Sequence, residues 1–306
     1  MDHGGYSDDT ILQGWLGQKP RSQLTLLDLP DADDAPFETG SLLAAPLRES
    51  GPKNGADQLT GTLVHALTHS WLTASNATQP IPAWLNEGVA AFMGTLWVEK
   101  QHGRDQALRM MEADRAALAL AEPASPGESL GQPLAKAISP IYYRTKAAYI
   151  FWMLRDLSGD AAISAAFRAY NPAEKVTFEK LLEEAGTHPD LGWFFADWVN
   201  ADKGLPDLSV AGIFPTSASA GNWLVAINVA NAGYASAEVL VTVRSASTFV
   251  SKRVLIPAHG TATERILVQG KPTEVQVNDG TVPETQASIH ITRLDEAEDT
   301  SSSAIK

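Results

Sequence analysis

The chain has 306 residues, 44% of them hydrophobic and 19% charged, which is enough apolar material for a sizeable core and room for two domains. Its formal net charge is −13 and Lys/Arg are nowhere clustered, which argues against nucleic acid as a partner, since a phosphate backbone is met by a basic footprint. Cysteine is absent, so disulfides and thiolate metal sites are excluded.

In chain order, the opening MDHGGYSDDT lacks the basic and apolar regions of a signal peptide and reads as a cut end, leaving room for an upstream segment. Residues 1–60 read as loop-rich, with one apolar burst, SQLTLLDLP, expected to form a buried strand ending at Pro30. DADDAPFETGSLLAAPL is expected to supply a second strand lying over an edge. From Gly61 the pattern turns helical, and TGTLVHALTHSWL sets Leu63, Leu67 and Trp71 about one turn apart, with His65 and His69 on a neighbouring face. A second helix follows in QPIPAWLNEGVAAFMGTLWVEK, with Pro82 at its N1 position. GRDQALRMMEADRAALALAE predicts an amphipathic helix, and EPASPGESLGQPL a loop. YYRTKAAYIFWMLRDLSGDAAISAAFRAY predicts two helices broken at Ser158-Gly159, while TFEKLLEEAG and DLGWFFADWVN complete a helical block that stops at Gly204-Leu205-Pro206.

Past Asp207 the hydrophobic period falls to two. NWLVAINVAN, AEVLVTVRS, SKRVLIPAHG, ATERILVQG, TEVQVNDG and ASIHITRL are six short stretches bounded by turn residues such as Asn278-Asp279-Gly280, the pattern of a β-sandwich. The tail EAEDTSSSAIK is too polar for a core and is expected to be disordered. No run of about 18 apolar residues offers a transmembrane helix. The organisation expected is thus a mixed helical and sheet domain over 1–206, an all-β domain over 207–295 and a tail over 296–306.

The chemistry is concentrated in LVHALTHSW. Histidines at i and i+4 lie on one helical face about 5–6 Å apart, close enough to share a tetrahedral ion, and a catalytic zinc needs three protein ligands plus an open position. The bland alternative is a pair of helix-surface or core histidines. Seventeen residues separate His69 from Glu87, which lies in AWLNEGVA.

VHALTHSW followed by AWLNEGVA resembles the HExxH…WLNEG signature of the aminopeptidase N family, a branch of the gluzincin zinc metallopeptidases, with a gap one residue shorter than the usual eighteen. The resemblance continues in order over about residues 22–295: YYRTKAAYIFWMLRDLSGD is similar to the family's tyrosine-bearing helix, WFFADWVNADKGLPDL to the segment before its β-sandwich, and PFETG loosely to its G-A-M-E-N strand. It implies an α+β thermolysin-like domain with a mostly helical second half, then the sandwich. It also implies one zinc ion per chain on His65, His69 and Glu87, and peptide or protein substrates. The family's N-terminal saddle-like β domain has no counterpart in these residues. Exported relatives imply a periplasmic or extracellular setting.

Carried over residue by residue, Glu38 is the acid that pairs with a substrate ammonium, although a solvated loop acid fits the same position. Lys146 matches the family lysine, which puts Arg144 in the tyrosine column; Tyr143 is then favoured as the donor to the oxyanion, with Tyr142 as the alternative and aromatic packing as the bland reading. Trp152, Trp193 and Trp198 read as core. The departure that matters most is Ala66, which replaces the family's general base. Zinc alone lowers the pKa of its water to about 7, but loss of a positioned acid–base group costs about 10²–10⁴ in rate, and Thr68 is no substitute. The implied enzyme is a zinc metallopeptidase that is inactive or strongly impaired; the alternative is a non-catalytic, zinc-containing peptide-binding or interaction protein.

Overall fold

A computed structural model describes residues 5–17, 24–31, 36–39, 42–46, 55–72, 80–122, 133–186 and 190–294; the expected tail lies outside them. The chain divides into two compact units, Met1–Lys203 and Gly204–Lys306.

Unit 1 begins with a helix where loop was expected: α1, Gly5–Leu16. Its local pattern is weak, and packing makes it. Ile11 and Leu12 are buried, Trp15 meets Phe92 edge-on at 5.6 Å, and the Trp15 carbonyl accepts from Ser164 Oγ. Three short strands follow: β1, Thr25–Asp28, β2, Phe37–Thr39, and β3, Leu42–Ala45. β3 is central, parallel to β1 and antiparallel to β2. The expected burial of the first strand is overturned: Leu26 and Leu27 are about half exposed, because β1 is an edge, and it is β3 that carries Leu43 and Ala45 into the interior.

Helix α2, Gly55–Leu72, brings the histidines, and α3, Ala83–His102, brings Glu87. Pro82 is the N-cap of α3 rather than its first residue. Twelve residues of α3 are buried, so it is a core helix without a wet face. It packs against α2, against α4, Arg104–Ala121, and against α5, Ala147–Ser158. The approach to α5 is close at one position: a Cβ on Gly88 would stand 2.4 Å from the Ala147 Cβ, so nothing larger than hydrogen fits there. Gly159, at φ 85°, ends α5 and lets α6, Asp160–Ala169, start at once. α7, Phe178–Ala185, is capped by the Thr177 hydroxyl, and α8, Gly192–Phe195, runs into a π-helical turn. Aromatic rings fill the centre, with Trp84 stacked on Phe151 at 5.4 Å; Trp152 and Trp198 are wholly buried and Trp193 is half-buried.

The described residues of unit 2 hold seven antiparallel strands, one more than the six expected: β4, Leu208–Ser217, β5, Asn222–Asn231, β6, Ala237–Ser245, β7, Phe249–Ile256, β8, Thr261–Gln269, β9, Pro272–Val277, and β10, His290–Arg293. They form a four-stranded sheet in the order β10-β9-β6-β7 and a three-stranded sheet in the order β4-β5-β8. Alternation is regular: Val225, Ile227 and Val229 of β5, and Val239, Val241 and Val243 of β6, are fully or almost fully buried. Among the described residues, no helix is long and apolar enough to cross a membrane.

Candidate metal centre

The four atoms that matter reach one point from three elements. His65 and His69 are one turn apart on α2, and their Nε2 atoms lie 3.3 Å from each other. Glu87, on the second turn of α3, sets one oxygen 3.4 Å from His65 Nε2 and the other 3.6 Å from His69 Nε2. Glu38 comes from β2, with Oε1 at 2.7 Å from His65 Nε2 and 3.6 Å from His69 Nε2. One ligand atom from each of the four residues lies within 4.8 Å of the others.

These spacings can be tested against a metal. Two atoms each about 2.0–2.1 Å from a tetrahedral ion are about 3.3–3.4 Å apart. The two histidines meet that figure, and Glu87 comes within a few tenths of an ångström of it through a different oxygen toward each histidine. Imidazole nitrogens with carboxylate oxygens also form a donor set that zinc accepts. The residues present therefore fit a zinc ion. Of the six sequence-predicted site residues, four converge here: Glu38, His65, His69 and Glu87.

The cluster is strongly self-polarised. Burial works against the Glu38 carboxylate, but hydrogen bonds to His65 and His69 and their charge outweigh it and hold the group far below the usual carboxylate range. Glu87 is lowered as well, by its hydrogen bond to His65 against the effect of burial. His69 is raised: burial favours the neutral ring, and hydrogen bonds to Glu38 and Asn86 with the charge of Glu87 overcome it. One buried oxygen, Glu38 Oε2, has no hydrogen-bond partner among the described residues.

Asn86 joins the cluster although the sequence reading did not single it out. Its Oδ1 accepts from His69 Nδ1 at 3.0 Å, which keeps the proton on Nδ1 and turns Nε2 toward the cluster. The signal was present, since Asn86 stands immediately before Glu87, but the sequence pattern does not say which way an amide points.

Ala66 is 2% exposed and packs with Leu43 and Ala45 of β3, flanked by Leu24 and Leu63. The position that follows the first histidine thus faces an apolar cluster. Tyr142 and Tyr143 lie in a π-helical turn, Ile141–Lys146, that leads into α5. The Tyr142 hydroxyl donates to the Ala121 carbonyl at 2.5 Å, and burial, with the charges of Glu122 and Asp202, pushes it up to about 12. Tyr143 is half-buried. A cleft of about 1050 Å³ opens beside His65, with Thr62, Arg109, Asp114, Arg144 and Tyr149 in its walls.

No protein-family model matches the chain, and no curated protein does. Among solved structures it is similar to the M1 zinc metallopeptidase of Deinococcus radiodurans, at 20% identity over 66% of this chain and 45% of that one, with a TM-score of 0.47. A glutamate-to-alanine mutant of the same enzyme matches at 21% identity over 65% and 45%, with a TM-score of 0.46. Yeast LTA4 hydrolase in complex with bestatin is similar at 16% identity over 63% of this chain and 34% of its own, with a TM-score of 0.45. The chain spans less than half the length of each of these proteins.

Proposed function

We propose that unit 1 is a zinc metallopeptidase domain of the aminopeptidase N type whose hydrolytic step is disabled or strongly slowed. The observation that carries this is the convergence of His65, His69 and Glu87 on one point, with a buried methyl group at position 66. A zinc ion held there supplies Lewis-acid polarisation of a peptide carbonyl and an acidified water. Asn86 fixes the tautomer of His69. Tyr143 is the residue assigned to the developing oxyanion, a choice supported by the commitment of the Tyr142 hydroxyl to Ala121. Residues 207–295 are read as the β-sandwich that accompanies such a domain, which agrees with two antiparallel sheets of alternately buried valines.

What is missing is the proton acceptor. No carboxylate follows His65, and the neighbours of Ala66 are Leu43 and Ala45, so this chain has no group there to take the water proton and pass it to a leaving amine. The test is zinc stoichiometry on the purified chain and on His65→Ala, followed by hydrolysis of an aminoacyl arylamide by Ala66→Glu. One zinc per chain, lost in His65→Ala, and a gain of about 10²–10⁴ in rate in Ala66→Glu are expected. A chain that binds no zinc at saturation overturns the proposal.

One observation favours a second reading, a non-catalytic zinc centre that binds peptide or simply holds the fold. A glutamate at 66 would have to share space with Leu43 and Ala45, and a carboxylate buried among apolar groups is costly. On this reading Ala66→Glu restores no activity and lowers Tm.

A further inference from the structure

The geometry points to Glu38 as a fourth protein ligand, one that closes the metal centre instead of receiving a substrate amine. This rests on the reading of His65, His69 and Glu87 as zinc ligands in the second, non-catalytic form given above, and goes beyond it by assigning the position that a catalytic zinc keeps open; where it holds, Ala66→Glu restores no activity.

The argument starts from register. Glu38 of β2 stands directly opposite Leu43 of β3 in an antiparallel pair, so the two side chains leave the sheet on the same face. Leu43 packs against Ala66, the residue next to His65. Anchoring Leu43 on α2 therefore aims its cross-strand neighbour at the same turn of the helix, and the Glu38 carboxylate arrives between the histidines.

Distances complete the case. Glu38 Oε1 is 2.7 Å from His65 Nε2, a hydrogen-bond separation, and 3.6 Å from His69 Nε2. An ion seated among them needs the first pair to open by roughly 0.6 Å to reach the tetrahedral spacing of about 3.3 Å, a change within reach of a carboxylate on a flexible side chain. The second oxygen, Oε2, is buried without a hydrogen-bond partner among the described residues, so the carboxylate keeps an unused lone pair. Two imidazoles and two carboxylates then fill a tetrahedral zinc and balance its double charge, the arrangement of a closed site. Ala66 agrees with that assignment, because a centre without an open position has no proton for a base to take.

The experiment uses the full chain loaded with Zn²⁺ or with Co²⁺ as a coloured probe, beside Glu38→Gln, Glu38→Asp and Glu38→Ala. Expected for the unaltered chain are an intense four-coordinate Co²⁺ visible band and a zinc X-ray absorption first shell of four N/O atoms. In Glu38→Gln and Glu38→Ala the Co²⁺ band should change shape and intensity as water enters. Zinc affinity, read by chelator competition, should fall by at least about 10–100-fold, the loss that a residue merely supporting a ligand already brings. Glu38→Asp, which keeps the charge and shortens the reach, should fall between; far-UV circular dichroism reports whether each variant folds. One zinc bound with the same affinity and the same Co²⁺ spectrum in Glu38→Gln overturns the assignment of Glu38 and leaves the three-ligand reading standing. Absence of stoichiometric metal from the unaltered chain overturns both.

Discussion

In unit 2 the buried carboxylate of Glu284 has a partner on each oxygen: Oε1 accepts from Asn278 Nδ2 at 2.8 Å, and Oε2 from the Leu208 amide and from His290, each at 2.9 Å. In unit 1, Glu38 and Glu122 each bury an oxygen that has no hydrogen-bond partner among the described residues, and the carboxylates lie against cationic or titratable nitrogen. The contrast separates two uses of an interior charge. A saturated carboxylate such as Glu284 can do little except hold chain segments together, here β4 to the loop between β9 and β10. An unsaturated one keeps a lone pair for something else, and its desolvation has to be met by charge. Unit 1 accepts that cost at the histidine cluster, at Lys146, where Asp202 joins Glu122, and at Glu112.

Lys146 offers the hardest test of the difference. It is wholly buried, its Nζ donates to Glu122 Oε1 at 2.5 Å and to Asp202, and it lies 5.6 Å from the centre of the Trp198 ring. Lys146→Ala leaves two carboxylates in the interior without their cation and should destabilise unit 1 by about 3–5 kcal/mol. Urea unfolding followed by the helical circular dichroism signal reads this. A loss below about 1 kcal/mol would mean that water reaches the pair and that the contrast with unit 2 does not hold.

A smaller effect is expected at Asn86. If its amide serves the metal centre by holding the His69 ring, Asn86→Ala should weaken zinc by about 10–100-fold with little change in the stability of the metal-free protein. Equal losses in both would place Asn86 with Glu284, as a residue that only ties the fold. The smallest effect concerns pH in unit 2. His290 is raised above its usual value by its hydrogen bond to Glu284, against burial and with help from the charges of Glu284 and Asp207. A raised histidine contributes stability that is complete below pH of about 6.5 and disappears as pH rises through the folded value. The Tm difference between the unaltered chain and His290→Asn should therefore be largest at mildly acid pH and shrink toward alkaline pH; a difference independent of pH would contradict it.

How much of this was legible beforehand depends on whether the cause is local. The i, i+4 histidines, the helix break at Gly159 and the alternating strands of unit 2 follow from periodicity and turn chemistry, and they stand where those rules put them. β4 was missed because LSVAGIFPTS carries Gly212 and Pro215, which read against a strand; it lies at the edge of its sheet, where such residues are tolerated. α1 was missed because its helical form depends on burying Ile11 and Leu12 against distant helices. Glu38 illustrates the same limit at the site. PFETG identifies a strand and an acid, but what the acid meets is decided by its register against β3, a non-local pairing that no short motif encodes.

The contact at Gly88 ties the metal centre to a remote position by volume. Since Glu87 precedes a residue whose Cβ would overlap that of Ala147, α3 can keep its place only while positions 88 and 147 together hold no more than one methyl group. A methyl gained at 88 calls for one surrendered at 147 and for a shift of the Phe151 ring, whose edge would stand 2.9 Å from the same Cβ. A side chain added at 88 without those changes would push apart the helices carrying Glu87 and the Tyr143 turn while every ligand stayed unaltered.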